Sequence, residues 1–177
     1  LEKISESSEI APQSAHGIMH CMREKIIDDS ISCPVGHIRP TLVFGKDDPH
    51  NGYGPNQFLR RVSGGDDIEL FGEGEELRDH IFIGDVAEIA IKMIDIGFLG
   101  KLNAVTGTVM SFQEIATIAA ELAEKSISIV NCERNGPMPH NGYRAFDSSK
   151  VHELMGDFQF KDLKSYIVEN LRGGKEV

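Results

Sequence analysis

The sequence predicts an α/β fold, and three observations carry that expectation. Segments of strand length and strand-forming composition recur at residues 38–44, 68–71, 81–83 and 102–105. Between and after them lie stretches of helical period that open on capping side chains, Ser14, Asp85 and Ser111. Residues 69–90, ELFGEGEELRDHIFIGDVAEIA, place a strand, a tight turn, a strand and a helix start in immediate succession. Gly72 and Gly74 supply the turn, because glycine tolerates positive φ.

Each element follows from local chemistry. Residues 1–13 are polar loop. Ser14 caps a helix reaching about residue 28, with Ile18, Met22 and Ile26 on one face. Residues 38–44 read as one strand, with Pro40 suited to a strand end. Residues 46–56 are dense in turn formers, and 57–63 form a short helix turning Phe58, Leu59 and Val62 inward. Arg78 and Asp79 fall between the strands of the central stretch, while Glu73, Glu75 and Glu76 read as a solvated turn. Asp85 and Glu88 have the spacing of a capping box, as do Ser111 and Glu114. The second of these helices turns Phe112, Ile115, Ala116, Ala119, Leu122 and Ala123 inward. Ile127 and Ile129 alternate with serines as a half-buried strand, and 131–143 is loop. A short helix carrying Val151, Leu154 and Met155 and a final one carrying Leu163, Tyr166, Ile167 and Leu171 close the chain.

Composition narrows the function classes. The 177 residues are 40% hydrophobic with a formal net charge of -10, which argues against a nucleic-acid surface. No apolar run is long enough to span a bilayer. The first residues have neither the charged nor the apolar segment of a signal peptide, and the chain opens without Met. Cys21, Cys33 and Cys132 lack metal or disulfide spacing and suggest reduced thiols, hence a cytoplasmic protein.

Several segments together carry a family likeness. Residues 78–87, RDHIFIGDVA, resemble the RDFxYVxDVA segment of the extended short-chain dehydrogenase/reductases, the NAD-dependent nucleotide-sugar epimerases and dehydratases. Residues 14–20, SAHGIMH, followed by Glu24, resemble their S-x-Y-G-x-x-K helix. Arg39 and Gly45 match the family's R-x-x-N-V-Y-G-P strand, although the asparagine is replaced. Residues 144–150, RAFDSSK, resemble R-x-x-D-x-S-K.

The resemblance implies the C-terminal part of a doubly wound Rossmann-type sheet with a small α+β substrate-binding region. Residues 12–45 and 80–106 would then belong to the nucleotide-binding fold, and 46–79 and 107–177 mainly to the substrate region. It implies a nucleotide-diphosphate sugar as ligand, NAD or NADP as cofactor of the full-length protein, and a homodimer as a compatible assembly. By position, Arg78, Arg144 and Arg39 would contact the substrate and Phe58 would lie near its base. His16 and His20 would stand where relatives carry the proton-transferring tyrosine and the ribose-binding lysine.

The sequence departs from the family pattern in two places. The family's G-x-x-G-x-x-G turn, which presents backbone donors to the cofactor pyrophosphate, has no counterpart here, so tight NAD binding by this chain alone is not expected. The His16–His20 pair, four residues apart, allows three readings. His16 replaces the tyrosine as acid/base, or the pair ligates a metal with Cys21, His37 or His50, or the site keeps a ligand and has lost catalysis. His37, His50, His80, His140 and His152 read as surface or loop residues. The residues are therefore compatible both with a catalytic protein and with a non-catalytic nucleotide-sugar binding module.

Overall fold

The computed structural model describes residues 2–12, 14–46, 48–49 and 51–172. His50 and the polar tail from residue 173 lie outside them. The chain runs α1 (Ala15–Ser30), β1 (Gly36–Pro40), β2 (Leu42–Phe44), α2 (Pro55–Gly64), β3 (Ile68–Phe71), β4 (Leu77–Phe82) and α3 (Ile83–Asp95). It continues through β5 (Gly100–Ala104), β6 (Val109–Ser111), α4 (Phe112–Glu121), β7 (Ile129–Cys132), β8 (Tyr143–Arg144), α5 (Ser149–Met155) and α6 (Leu163–Arg172). This is the α/β class the sequence predicts.

Among the described residues the strands form three small sheets: β1 with β5, β3 with β7, and β2–β4–β6 with β8 also paired to β4. All these pairings are parallel except β4–β6. The expected strand over 38–44 breaks at Thr41 because the segment serves two sheets. Thr41 N donates to Ala104 O at 3.1 Å, extending the β1–β5 ladder, while its Oγ1 donates to Asp79 O at 3.0 Å, toward β4. β3 and β4 do not form a hairpin, since each pairs with other strands.

Two apolar cores result. The first joins α2, β3, α4 and α6 through Phe44, Phe58, Leu70, Phe112, Ile115 and Ile167. The second joins β4, α3, β5 and α5 through Ile81, Ile89, Leu102, Val105 and Val151. Asp79, with no exposed surface, ties β4 to the end of β5. Its Oδ1 accepts from Thr106 N at 3.1 Å and Thr106 Oγ1 at 3.0 Å, and its Oδ2 from Gly107 N at 2.7 Å. Burial raises the Asp79 pKa, and these donors oppose the rise.

Helix α1 differs from the rest. Ser14 caps it, accepting from Gly17 N at 3.1 Å, yet none of its residues is buried. Ile18, Met22 and Ile26 share one face, and that face is exposed. Polar contacts hold the helix: Arg39 grips Glu24 with two bonds of 2.7 and 2.5 Å, and Asp28 meets His37 at 2.6 Å.

The central stretch departs from expectation in four places. Arg78 and Asp79 lie inside β4, not between strands, and are 6% and 0% exposed. Glu76 is buried, because Arg78 and Arg134 both pair with it. His80 is buried too, packed against the Phe112 ring at 6.0 Å, and its Nε2 finds no partner among the described residues. Asp85 is not a cap: β4 runs straight into α3, Phe82 takes the cap position, and Asp85 Oδ2 instead accepts from Lys161 N at 2.7 Å. The Ser111–Glu114 capping box forms in full.

Two buried side chains of β4 should govern stability. Asp79→Ala leaves the half-buried donors of Thr106 and Gly107 without their acceptor and should cost about 3 kcal/mol in denaturant unfolding. Desolvation pushes His80 down to about 4 from 6.5, so the unfolded chain binds a proton more readily than the folded one. That contribution is complete above pH 6.5 and disappears as pH falls toward 4, a loss of about 3 kcal/mol. Unfolding measured across this range should show the loss, and His80→Phe should remove that part of the pH dependence.

Candidate functional site

The site is built where β8 joins β4. These strands pair in parallel with Leu77 opposite Tyr143 and Arg78 opposite Arg144, so the two arginines are register neighbours. The chain reaches β8 through a tight 3-10 turn, Pro139–Gly142, in which His140 and Asn141 hold φ of 53° and 50°. Few residues other than glycine adopt this left-handed backbone, and it places the turn against both arginines. Arg78 Nη2 donates to Pro139 O at 2.8 Å, and Arg144 Nη1 donates to His140 Nε2 at 3.0 Å. Arginine has no acceptor, so His140 is the neutral tautomer that accepts at Nε2.

The electrostatics of this corner are cationic. Burial lowers the Arg78 pKa, with Arg134 acting in the same direction and Glu76 against it. The Arg144 guanidinium is crowded although the residue as a whole stays exposed, and that crowding and the Arg78 charge both lower its pKa. Burial, then Arg144 and Arg78, keep His140 below the ordinary histidine range. Arg144 also lies over the Phe146 ring at 5.6 Å. An anion placed here would relieve mutual repulsion among groups that are already fixed in position.

A second layer supports Arg78. Glu76 Oε2 accepts from Arg78 Nη2 and Glu76 Oε1 from Arg134 Nη1. Arg134 Nη2 donates to Phe71 O at 2.9 Å and lies 3.6 Å from Glu75 Oε1. Sequence reasoning missed Glu76, Arg134 and His140. Glu76 and Arg134 are 58 residues apart, so no local pattern links them.

The other expected residues lie elsewhere. Arg39 sits on β1, in a different sheet, and is committed to Glu24. Phe58 is fully buried in the first core and presents no surface to a ligand; its position one turn into α2, facing Phe112 and Tyr53, explains the apolar period that marked it. His16 and His20 share an exposed face of α1 with their Nε2 atoms 3.1 Å apart and ring centroids 4.5 Å apart. Among the described residues no group of three or more His, Cys, Asp or Glu is arranged to hold a metal.

Neither glycine pair forms the strand-to-helix turn that presents backbone donors to a dinucleotide's pyrophosphate. Gly54 leads into α2 from a loop, not a strand, and Pro55 at the first helical position removes a backbone donor. Gly72 and Gly74 turn the chain from β3 to β4 and open no helix.

Residues 1–101 match the model of the NAD dependent epimerase/dehydratase family. Over 111 residues the chain is 30% identical to UDP-N-acetyl-alpha-D-glucosaminuronate decarboxylase of Bacillus cytotoxicus, covering 60% of this chain and 34% of that protein. The fold is similar to that of UDP-N-acetylglucosamine 4-epimerase of Methanobrevibacter ruminantium, solved with UDP-N-acetylmuramic acid, at a TM-score of 0.78 and 20% identity. That match covers 96% of this chain and 56% of the other. Thermus thermophilus UDP-glucose 4-epimerase, solved with NAD, matches at a TM-score of 0.76 and 22% identity, over 97% of this chain and 58% of the other. The chain thus spans about a third of the curated relative and a little over half of each solved structure. With more than half of its residues matched by the family model, the chain is a member of the NAD dependent epimerase/dehydratase family.

Proposed function

We propose that this chain is the substrate-binding C-terminal portion of an NAD(P)-dependent enzyme acting on a nucleotide-diphosphate sugar. The observation that carries this reading is the register pairing of Arg78 with Arg144 beside a neutral His140, a cationic corner fitted to a diphosphate. The UDP-sugar compounds named with the solved relatives support the same ligand class. Residues 46–79 and 107–177 supply the ligand site, and 12–45 and 80–106 belong with the nucleotide-binding sheet. The dinucleotide's pyrophosphate is held outside these residues, in the longer protein. A cytoplasmic location and a homodimer of that longer protein belong to the same proposal; among the described residues no helix is long and apolar enough to cross a membrane.

His16 acts as acid/base in this reading, with His20 beside it in the ribose-facing position. Their 3.1 Å contact lets one imidazole hold a proton that the other accepts. The runner-up is a binding module without turnover, which the exposed, mutually satisfied histidine pair also permits.

Three measurements test this. In the full-length protein, Arg78→Ala and Arg144→Ala should each weaken nucleotide-sugar binding by about 1.5–3 kcal/mol, the range for hydrogen bonds to charged groups. Unchanged affinity in both would remove the proposed diphosphate site. His16→Phe in the same protein should abolish turnover and leave sugar-nucleotide binding intact, whereas an unchanged rate would favour the binding module. Calorimetry on the 177-residue chain with NAD and NADP should show no low-micromolar binding. Binding at that level would mean these residues hold the dinucleotide unaided.

A further inference from the structure

Glu76 is a carboxylate, 6% exposed, lodged against the very guanidinium expected to grip a diphosphate. Its two oxygens serve different cations, Oε2 accepting from Arg78 and Oε1 from Arg134. The remaining contacts of the two arginines are to backbone and to a more distant acid. Arg78 Nη1 donates to Leu77 O at 2.9 Å and Arg78 Nη2 to Pro139 O at 2.8 Å. Arg134 donates to Phe71 O at 2.9 Å and stands 3.6 Å from Glu75. Arg78 and Arg134 thus share the carboxylates of Glu75 and Glu76, while Arg144, the register neighbour of Arg78, bonds His140 and adds a positive charge that neither acid is paired with.

A buried guanidinium without an anion is strongly unfavourable, so Arg78 needs a partner while the site is free of ligand. Phosphate oxygens and a carboxylate present guanidinium with the same kind of acceptor, and one Arg78 Nη2 cannot fully serve both. A ligand phosphate at Arg78 therefore has to displace Glu76. Displacement ordinarily leaves a buried carboxylate unpaired, but here Arg134 is already bonded to its other oxygen. The Arg134 side chain is 18% exposed and comes from the segment between β7 and the 3-10 turn.

We propose that Glu76 is an internal counter-anion that occupies Arg78 in the free protein and passes wholly to Arg134 when a phosphate-bearing ligand arrives. Arg134 is the receiving cation, and Arg144, exposed and not engaged by Glu76, makes the first contact with the incoming anion. The arrangement selects by charge. A ligand with a single negative charge gains too little to displace Glu76, whereas a diphosphate engages Arg78 and Arg144 together. This rests on the diphosphate reading given above and assigns Glu76 and Arg134 as its specificity-determining residues.

The test is calorimetry with uridine diphosphate and inorganic pyrophosphate on the full-length wild type, Glu76→Gln and Arg134→Gln, each checked for folding by circular dichroism. Glu76→Gln keeps the side-chain shape and removes the competing charge, so it should bind both ligands at least tenfold more tightly. Arg134→Gln leaves Glu76 with Arg78 alone and should bind at least tenfold more weakly. Simple structural damage would weaken both variants, so the opposite signs identify the handover. Unchanged or weaker binding by folded Glu76→Gln, with the wild type still binding, overturns the counter-anion role and leaves the diphosphate reading intact. Binding by Glu76→Gln alone supports the role. If neither ligand binds any of the three proteins, the diphosphate reading falls and the proposal with it. Should Glu76→Gln fail to fold, Arg134→Gln decides, and unchanged or tighter binding by that variant overturns the proposal.

Discussion

One buried carboxylate, that of Asp79, accepts three hydrogen bonds from Thr106 and Gly107, at 3.1, 3.0 and 2.7 Å. The organisation of the chain depends on it. Thr106 and Gly107 follow β5, so the contact fixes where the β1–β5 pair sits relative to β4. Thr41 closes the same joint from the other side, donating to the Asp79 carbonyl. The position of β4 then decides the rest, because β2, β6 and β8 all take their register from it. Arg78 meets Arg144 only because that register is held.

The two parts of the structure are stabilised by different physics. Around α2, α4 and α6, fully buried aromatic and aliphatic side chains supply the adhesion. Helix α1 is attached by polar contacts, the ion pairs of Glu24 with Arg39 and Lys101 and the hydrogen bond of Asp28 with His37. Partly exposed ion pairs contribute little each and weaken with salt. Local order at α1 therefore depends on ionic strength far more than order around Phe44 or Ile115 does.

Much of the architecture was legible in the sequence because it is determined locally. The caps at Ser14 and Ser111 form as their residue types and spacing indicate. The inward residues of α2, α4 and α6 follow their helical period into the first core. What could not be read was set by partners distant in the chain. Three glutamates near a glycine turn look solvated, yet Glu76 is buried because Arg134 comes to it from beyond β7. His80 looks like one more polar residue in a charged run, but β4 is enclosed on both sides. The break at Thr41 reflects two competing sheets, and a single strand-like stretch, IRPTLVF, gives no hint of it. At the candidate site, the arginines were legible through their family segments, whereas the left-handed turn at His140 and the salt-bridge layer behind Arg78 were not.

Strand β4 alternates its side chains, so Arg78 and His80 take one face while Asp79 and Ile81 take the other. All four are buried, and each face has chemically specific surroundings. An inserted or deleted residue between 76 and 82 would exchange the faces, bringing an acid toward the arginine corner and a cation toward the amides of Thr106 and Gly107. The segment therefore accepts replacement of a side chain more readily than a change of length. Changes in chain length are left to loops such as 51–54, where the backbone closes no sheet and carries no pairing register.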